Sequence, residues 1–112
     1  MSDIKINGDL FKRATAILKK NGTNFGDQFN HLMDQGSKLD QVPFGLEEYD
    51  TKDKNNYQIS LSDLNVNLEH QFLDVLKSMD IPLEYVINGY CRRVILQKKV
   101  PEFSPKFTPY KN

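Results

Sequence analysis

Apolar side chains recur at spacings of three and four residues in four stretches of the chain, and this pattern predicts four amphipathic helices. The inward positions are Leu10, Ala14, Ile17 and Leu18 in the first stretch, Phe25, Phe29, Leu32 and Met33 in the second, Leu68, Phe72, Val75, Leu76 and Met79 in the third, and Leu83, Val86, Ile87, Tyr90, Cys91, Val94 and Ile95 in the fourth. The fourth stripe is the longest, so we expect that helix to be largely buried.

Asparagine, glycine and proline mark the ends of these helices. Asn7, Asn24 and Asn65 each precede an apolar stripe, where a side-chain amide oxygen can accept a hydrogen bond from the first helical turn. Gly22 follows the first stripe and suits the left-handed backbone that ends many helices. Pro82 separates the third stripe from the fourth, since proline disfavours helix in the residue before it. The chain is therefore predicted to form two pairs of helices, each joined by a tight turn.

The two pairs of helices are related by a shift of 58 positions, the separation of Ile6 from Leu64. The shift superposes apolar on apolar positions along the stripes, although few residues are identical. Further pairs that it superposes are Asn7 with Asn65, Asn30 with Asn88, and Val42-Pro43 with Val100-Pro101. Similarity at a fixed period indicates a duplicated structural unit.

We divide the chain into a first unit at residues 1–44, an acidic and polar linker at 45–58, a second unit at 59–103 and an extended tail at 104–112. A unit of roughly 40 residues rarely builds a stable core without a disulfide or a metal. We therefore expect both units to fold as one domain, mainly α-helical, around a shared core.

Each unit should begin with a short strand. In the first unit apolar and polar residues alternate over Ile4–Ile6, as in a strand with one buried face. A lone strand leaves backbone groups unpaired, so we expect the equivalent strand of the second unit to complete a two-stranded antiparallel ribbon. Two positions for the second strand stay open, Ser60–Leu64 from the 58-position shift and Leu64–Leu68 from its clean alternation.

The overall charge and hydropathy exclude several classes of protein. The sequence has 15 basic and 15 acidic residues, a pI near 6.7 and a mean hydropathy of −0.59. Such a chain offers no apolar span for a membrane and no long-range field that attracts nucleic acid, so any DNA contact must be local. Because no apolar signal segment follows the first residues, we expect a cytoplasmic protein.

Few residues carry candidate reaction chemistry. A single cysteine, Cys91, excludes an internal disulfide, and the distant His31 and His70 do not complete a zinc-ligand pattern with it. The sequence contains no Gly-rich phosphate loop, paired metal-binding histidines or nucleophile elbow. We therefore expect no enzymatic activity, no bound metal and no cofactor.

The order of strand, Asn-capped helix, Gly turn and second helix, followed by Val42-Pro43-Phe44, resembles the RelB/DinJ antitoxins of the ribbon-helix-helix superfamily. The second unit resembles them too, with Val100-Pro101 followed by Glu102 in place of an aromatic residue. Members of this family usually carry one unit per chain and dimerise into a ribbon that enters the DNA major groove. The resemblance implies an intramolecular pseudo-dimer that binds a double-stranded DNA operator, alone or as a dimer of pseudo-dimers.

The resemblance also implies DNA-contacting roles for particular residues. Lys5 becomes an outward residue of the first strand, and Asn24 and Phe25 begin the turn that holds a phosphate at the start of the second helix. Leu83 lies in the corresponding turn of the second unit, where Pro82 lacks the N–H group that a phosphate would need.

Asn65 and Asn67 join this set if the second strand is Leu64–Leu68. Both would then face the DNA, where asparagine can pair with adenine. A strand at Ser60–Leu64 would instead present Leu61 and Asp63, which are poorly suited to reading bases.

The tail and the last residue of the second unit supply candidate contacts for a protein partner. Phe103, Phe107 and Tyr110 lie in a proline-containing segment without periodicity, and aromatic side chains on an extended segment can anchor a partner such as a small toxin or a host protein. The alternative is that the tail packs over the protein's own core.

Three functions are consistent with these features. The first is a sequence-specific DNA-binding transcriptional regulator that reads the major groove with its ribbon. The second is an inhibitor that binds a protein, as an antitoxin or a phage or mobile-element inhibitor, and uses the same fold without strong DNA binding. The third is a structural or assembly module.

Overall fold

The computed structural model describes residues 3–39, 54–60 and 64–101. Their elements are β1 (Asp3–Ile6), α1 (Gly8–Lys20), α2 (Phe25–Leu39), β2 (Tyr57–Ser60), α3 (Val66–Met79) and α4 (Leu83–Gln97). The protein is thus mainly helical with a short two-stranded antiparallel sheet, as the sequence predicts. The order strand, helix, helix occurs twice, and we call β1, α1 and α2 the first half and β2, α3 and α4 the second half. Residues 42–44 and the tail lie outside the described residues.

The predicted caps determine where α1 begins and ends. The Oδ1 atom of Asn7 accepts a hydrogen bond from the N–H of Leu10 at 3.0 Å, which satisfies a donor of the first turn. Gly22 has a φ of 78°, and the N–H of Thr23 then donates to the carbonyl oxygen of Leu18 at 3.1 Å. This left-handed ending turns the chain towards α2.

The start of α3 corrects the prediction for the second strand. The Oδ1 atom of Asn65 accepts a hydrogen bond from the N–H of Leu68 at 3.0 Å, and α3 begins at Val66. Residues 66–68 form the first turn of a helix, so the strand at Leu64–Leu68 is wrong. A helix begins here because the Asn65 side chain satisfies an N–H group of the first helical turn, and this local bond prevails over the apolar alternation that favours a strand.

The observed second strand lies further towards the N-terminus than either prediction. β1 pairs antiparallel with Tyr57–Ser60, so that Ile4 lies opposite Ile59 and Lys5 opposite Gln58. The predicted segment Ser60–Leu64 shares only Ser60 with this strand, and its pairing with Ile4–Ile6 is therefore wrong. Residues 61–63 lie outside the described residues. Tyr57 and Gln58, the last two residues of the predicted linker, belong to the strand.

The core lies between the two halves. α4 packs on α1 and β1, β2 pairs with β1, and α2 packs on α3, so the most extensive contacts among the described elements connect one half with the other. Phe29 is at the centre, with its ring centroid 5.1 Å from Phe25, 6.3 Å from Phe72 and 6.1 Å from Tyr90. α4 is largely buried, as its long apolar stripe predicts.

Each of the four described helices is too short or too polar to cross a lipid bilayer.

Candidate nucleic-acid interface

The two faces of the ribbon differ in polarity. Residues that lie directly opposite each other in an antiparallel pair point to the same face. Ile6 is fully buried, and the opposed pair Ile4 and Ile59 packs against the core. The other face carries four exposed polar side chains, and we call it the outer ribbon face: Asp3, Lys5, Gln58 and Ser60.

A hydrogen bond connects the two strands on the outer ribbon face. The Nε2 atom of Gln58 donates to Oδ2 of Asp3 at 3.0 Å, while Lys5 lies directly opposite Gln58. A carboxylate is only an acceptor, so the Gln58 amide nitrogen must face Asp3 and its oxygen remains available for another donor. The face offers an ammonium group and an amide to a ligand, and its two opposite charges leave it without net charge.

The structure places the predicted phosphate turn beside the ribbon but fills it with a carboxylate. The Oδ1 atom of Asn24 accepts a hydrogen bond from the N–H of Asp27 at 2.8 Å, and its Nδ2 donates to Oδ2 of Asp27 at 3.1 Å. Both polar groups of Asn24 therefore bind Asp27: the amide oxygen caps the first turn of α2, and the amide nitrogen binds the carboxylate. Phe25 is half-buried and stacks on Phe29, so its side chain belongs to the core. An acid in the first turn of α2 disfavours a phosphate there.

A cavity of about 450 Å³ lies between β2 and the start of α2. Its described walls come from α1, the start of α2, β2 and the segment before α3. The lining residues are Phe11, Asn24, Phe25, Gly26, Asp27, Ile59, Ser60 and Leu64. Because β2 and the α2 N-terminus share this cavity, residues predicted to contact DNA from the first unit lie next to the ribbon.

The remaining predicted DNA contacts lie elsewhere. Asn65 caps α3, and Asn67 is exposed in the first turn of that helix. Leu83 is 8% exposed and belongs to the hydrophobic core. These three residues are not part of the outer ribbon face, which of the predicted set contains only Lys5. Phe103, Phe107 and Tyr110, the predicted contacts for a protein partner, lie outside the described residues.

A polar network fixes the segment before β2 against the start of α1. The buried amide of Asn88 accepts a hydrogen bond from the N–H of Asn7 at 2.9 Å and donates to Oδ1 of Asn55 at 2.7 Å. The N–H of Gly8 donates to Oδ1 of Asn56 at 3.3 Å, and a Cβ atom on Gly8 would lie 2.9 Å from Cβ of Tyr57. This close approach sets the position at which β2 enters the ribbon.

A second asparagine bond has the same form at α3. The N–H of Asn65 donates to Oδ1 of Asn30 at 2.8 Å, just as the N–H of Asn7 donates to Asn88. In each case a residue that caps the first helix of one half binds the second helix of the other half.

Three of the four residues on the outer ribbon face are not among the DNA contacts that the sequence predicts: Asp3, Gln58 and Ser60. Asp3 directly precedes the predicted strand, and Gln58 falls within the predicted linker because its neighbours in the sequence are polar. The alternation of Tyr57, Gln58, Ile59 and Ser60 is the signal that identifies this strand.

Two ionisable side chains of α4, Cys91 and Tyr90, are buried in the core. Burial raises the pKa of the Cys91 thiol to about 12, so the thiol stays protonated at neutral pH. Burial also raises the pKa of the Tyr90 hydroxyl above its ordinary value. Among residues 3–39, 54–60 and 64–101, no three acidic, histidine or cysteine side chains are grouped to hold a metal ion.

Comparison of the chain with protein-family models, curated proteins and solved structures gives no match.

Proposed function

We propose that this protein is a DNA-binding transcriptional regulator of the antitoxin-like ribbon-helix-helix type, and that its outer ribbon face reads the major groove. In this proposal the two halves act as an intramolecular pseudo-dimer. A single chain then supplies both strands that separate subunits supply in ordinary members of the family.

The two asparagine bonds support the pseudo-dimer. The 58-position shift carries Asn7 onto Asn65 and Asn30 onto Asn88. The two bonds are therefore equivalent under the shift, because Asn7 binds Asn88 and Asn65 binds Asn30. Reciprocal contacts of this kind are the mark of a two-fold interface, in which residue i of one part meets residue j of the other and vice versa.

The observation that carries the DNA proposal is the exposed outer ribbon face. A two-stranded ribbon fits the major groove, which is about 12 Å wide in B-DNA. Gln58 has the amide that pairs with adenine, and Lys5 has the ammonium group that donates to guanine or to a phosphate. Both side chains are exposed and lie opposite each other on the paired strands.

The surrounding charge predicts weak binding with a shallow dependence on salt concentration. Asp3 lies on the outer ribbon face, Asp27 occupies the neighbouring helix start, and the chain has no net charge. Few phosphates can be neutralised, so most of the discrimination must come from base contacts.

The proposal is tested by selecting duplexes from a randomised pool at low salt and measuring their binding by fluorescence anisotropy. We expect a recurrent short sequence. The Lys5→Ala substitution should weaken binding to the selected duplex by roughly fivefold to tenfold and reduce the salt slope by about one if Lys5 contacts a phosphate.

Lys19→Ala is the matched control. Lys19 is exposed in the last turn of α1, whereas the ribbon joins the first turn of this helix of 13 residues. The control should bind like the unmodified protein. Failure to enrich any sequence at low salt, or equal losses in Lys5→Ala and Lys19→Ala, would contradict the proposal.

A protein-binding inhibitor is the second candidate, and the acids beside the ribbon favour it. Asp3 and Asp27 repel phosphates but suit a basic protein surface. This function predicts a protein that co-purifies stably with the chain from its native cells. Truncation after Pro101 should weaken that complex if the tail supplies the contact. Unchanged binding would show that the residues after Pro101 do not contact the partner.

A further inference from the structure

The cavity beside β2 has the volume of a small-molecule site. Its volume of about 450 Å³ falls within the range of roughly 300–1,000 Å³ that is usual for ligand pockets. The DNA proposal assigns no role to this space, because the base contacts come from Lys5 and Gln58, which do not line it; Ser60 belongs both to the cavity and to the outer ribbon face.

The apolar walls are formed and supported before any ligand binds. The rings of Phe11 and Phe25 meet edge to face, with centroids 5.2 Å apart and planes at 72°. Phe25 is held from behind by Phe29, at a centroid distance of 5.1 Å. Ile59 and Leu64 complete an apolar surface that suits an aromatic ring.

Asp27 gives the cavity its charge. It is the one ionisable side chain among the described lining residues. Its Oδ2 accepts a hydrogen bond from Asn24 at 3.1 Å, and it forms no ion pair with any of the described residues. A carboxylate beside aromatic rings attracts an ammonium group through charge-assisted hydrogen bonding and cation–π contact, and it repels an anion.

We propose that this cavity binds a monocationic arylalkylamine, an aromatic ring connected by a short chain to an ammonium group. The ring lies against Phe11, Phe25 and Ile59, and the ammonium group binds the carboxylate of Asp27. The site does not depend on DNA binding, so it can be tested on the protein alone.

The test is titration of the full-length, ¹⁵N-labelled protein with tryptamine, followed by amide chemical shifts. Indole-3-propionate is the matched ligand, because it has the same ring system and the opposite charge. Tryptamine should shift the amides of Phe25–Asp27 and Ile59–Ser60, with a dissociation constant on the order of 1 mM, as a ligand of this size permits. Indole-3-propionate should bind more weakly.

Asp27→Asn removes the charge but keeps the backbone N–H that Asn24 caps. We expect this variant to bind tryptamine roughly fivefold more weakly and to lose the preference over indole-3-propionate. Asp74→Asn is the control, because Asp74 is an exposed acid of α3 that does not line the cavity. It should bind tryptamine like the unmodified protein.

Other results would overturn the proposal. Equal shifts with both ligands would make the cavity a charge-blind apolar pocket, and a preference for indole-3-propionate would make the start of α2 an anion site. Absence of shifts at these amides up to several millimolar tryptamine, or an equal loss in Asp27→Asn and Asp74→Asn, would also contradict it.

Discussion

At the scale of single residues, Asn88 connects three parts of the fold. Its amide is 1% exposed and binds both the N–H of Asn7 and the side chain of Asn55. Asn30 makes the related bond to Asn65, but that bond is exposed to solvent. The caps themselves are local and could be predicted from sequence. The Asn88 network could not, because it depends on the folding of α4 against α1.

Asn88→Ala should therefore destabilise the protein more than Asn30→Ala. Loss of the buried amide leaves the Asn7 N–H without its acceptor, at a cost of about 2–3 kcal/mol, whereas water can replace the exposed Asn30 bond at a cost of about 1 kcal/mol or less. Urea unfolding followed by circular dichroism measures both values. An equal or larger loss in Asn30→Ala would show that burial does not distinguish the two bonds.

The buried thiol of Cys91 makes the free energy of unfolding fall as the pH rises through the alkaline range. Burial raises its pKa from 9.0 to about 12, so the unfolded chain releases this proton at a lower pH than the folded protein. The contribution is complete below pH 9 and is lost as pH rises towards 12, with a slope of at most about 1.4 kcal/mol per pH unit.

The cleanest window is between pH 9 and 10, below the ordinary pKa of 10.0 for tyrosine. Over this window the free energy of unfolding should fall in the unmodified protein and fall less steeply in Cys91→Ala. Identical slopes for the two proteins in urea titrations would show that the thiol does not contribute.

At the scale of elements, each helix end follows from short-range chemistry, but the position of β2 does not. Gly22 ends α1 and Asn65 begins α3 as the sequence predicts. β2 consists of four residues whose place is set by contact of Tyr57 with Gly8 and by the Asn55–Asn56 network. Such a short strand carries little pattern of its own. The 58-position shift, which relates the two units as wholes, therefore predicts the strand at the wrong residues.

Gly22→Ala should cost about 1 kcal/mol of stability through the backbone alone. The position has a φ of 78°, and apart from its two chain neighbours no atom of the described residues lies within 4 Å of a Cβ placed there, so the cost comes from the backbone conformation. Thermal unfolding measures the loss, and Gly22→Asn should recover part of it because asparagine tolerates the left-handed region better. Gly22→Ala with unchanged stability would show that this turn does not need a left-handed residue.

At the scale of the whole molecule, the two halves share one core. The contacts α1 with α4, α2 with α3 and β1 with β2 all cross between the halves. The sequence predicts this shared core because each duplicated unit, at roughly 40 residues, is too small to build a stable core without a disulfide or a metal. The candidate site is harder to predict from the sequence than the core. Lys5 is identified by the alternation of its strand, whereas Gln58 and the cavity depend on how β2 and α2 meet.

Unfolding of the separated halves tests the shared core most directly. Residues 1–53 and 54–112 would be produced separately, and each would be followed by circular dichroism during heating at several protein concentrations. We expect neither half to unfold cooperatively as a monomer, and an equimolar mixture to recover a cooperative transition that moves to higher temperature with concentration. A cooperative, concentration-independent transition in either half alone would contradict the shared core and the ribbon that depends on it.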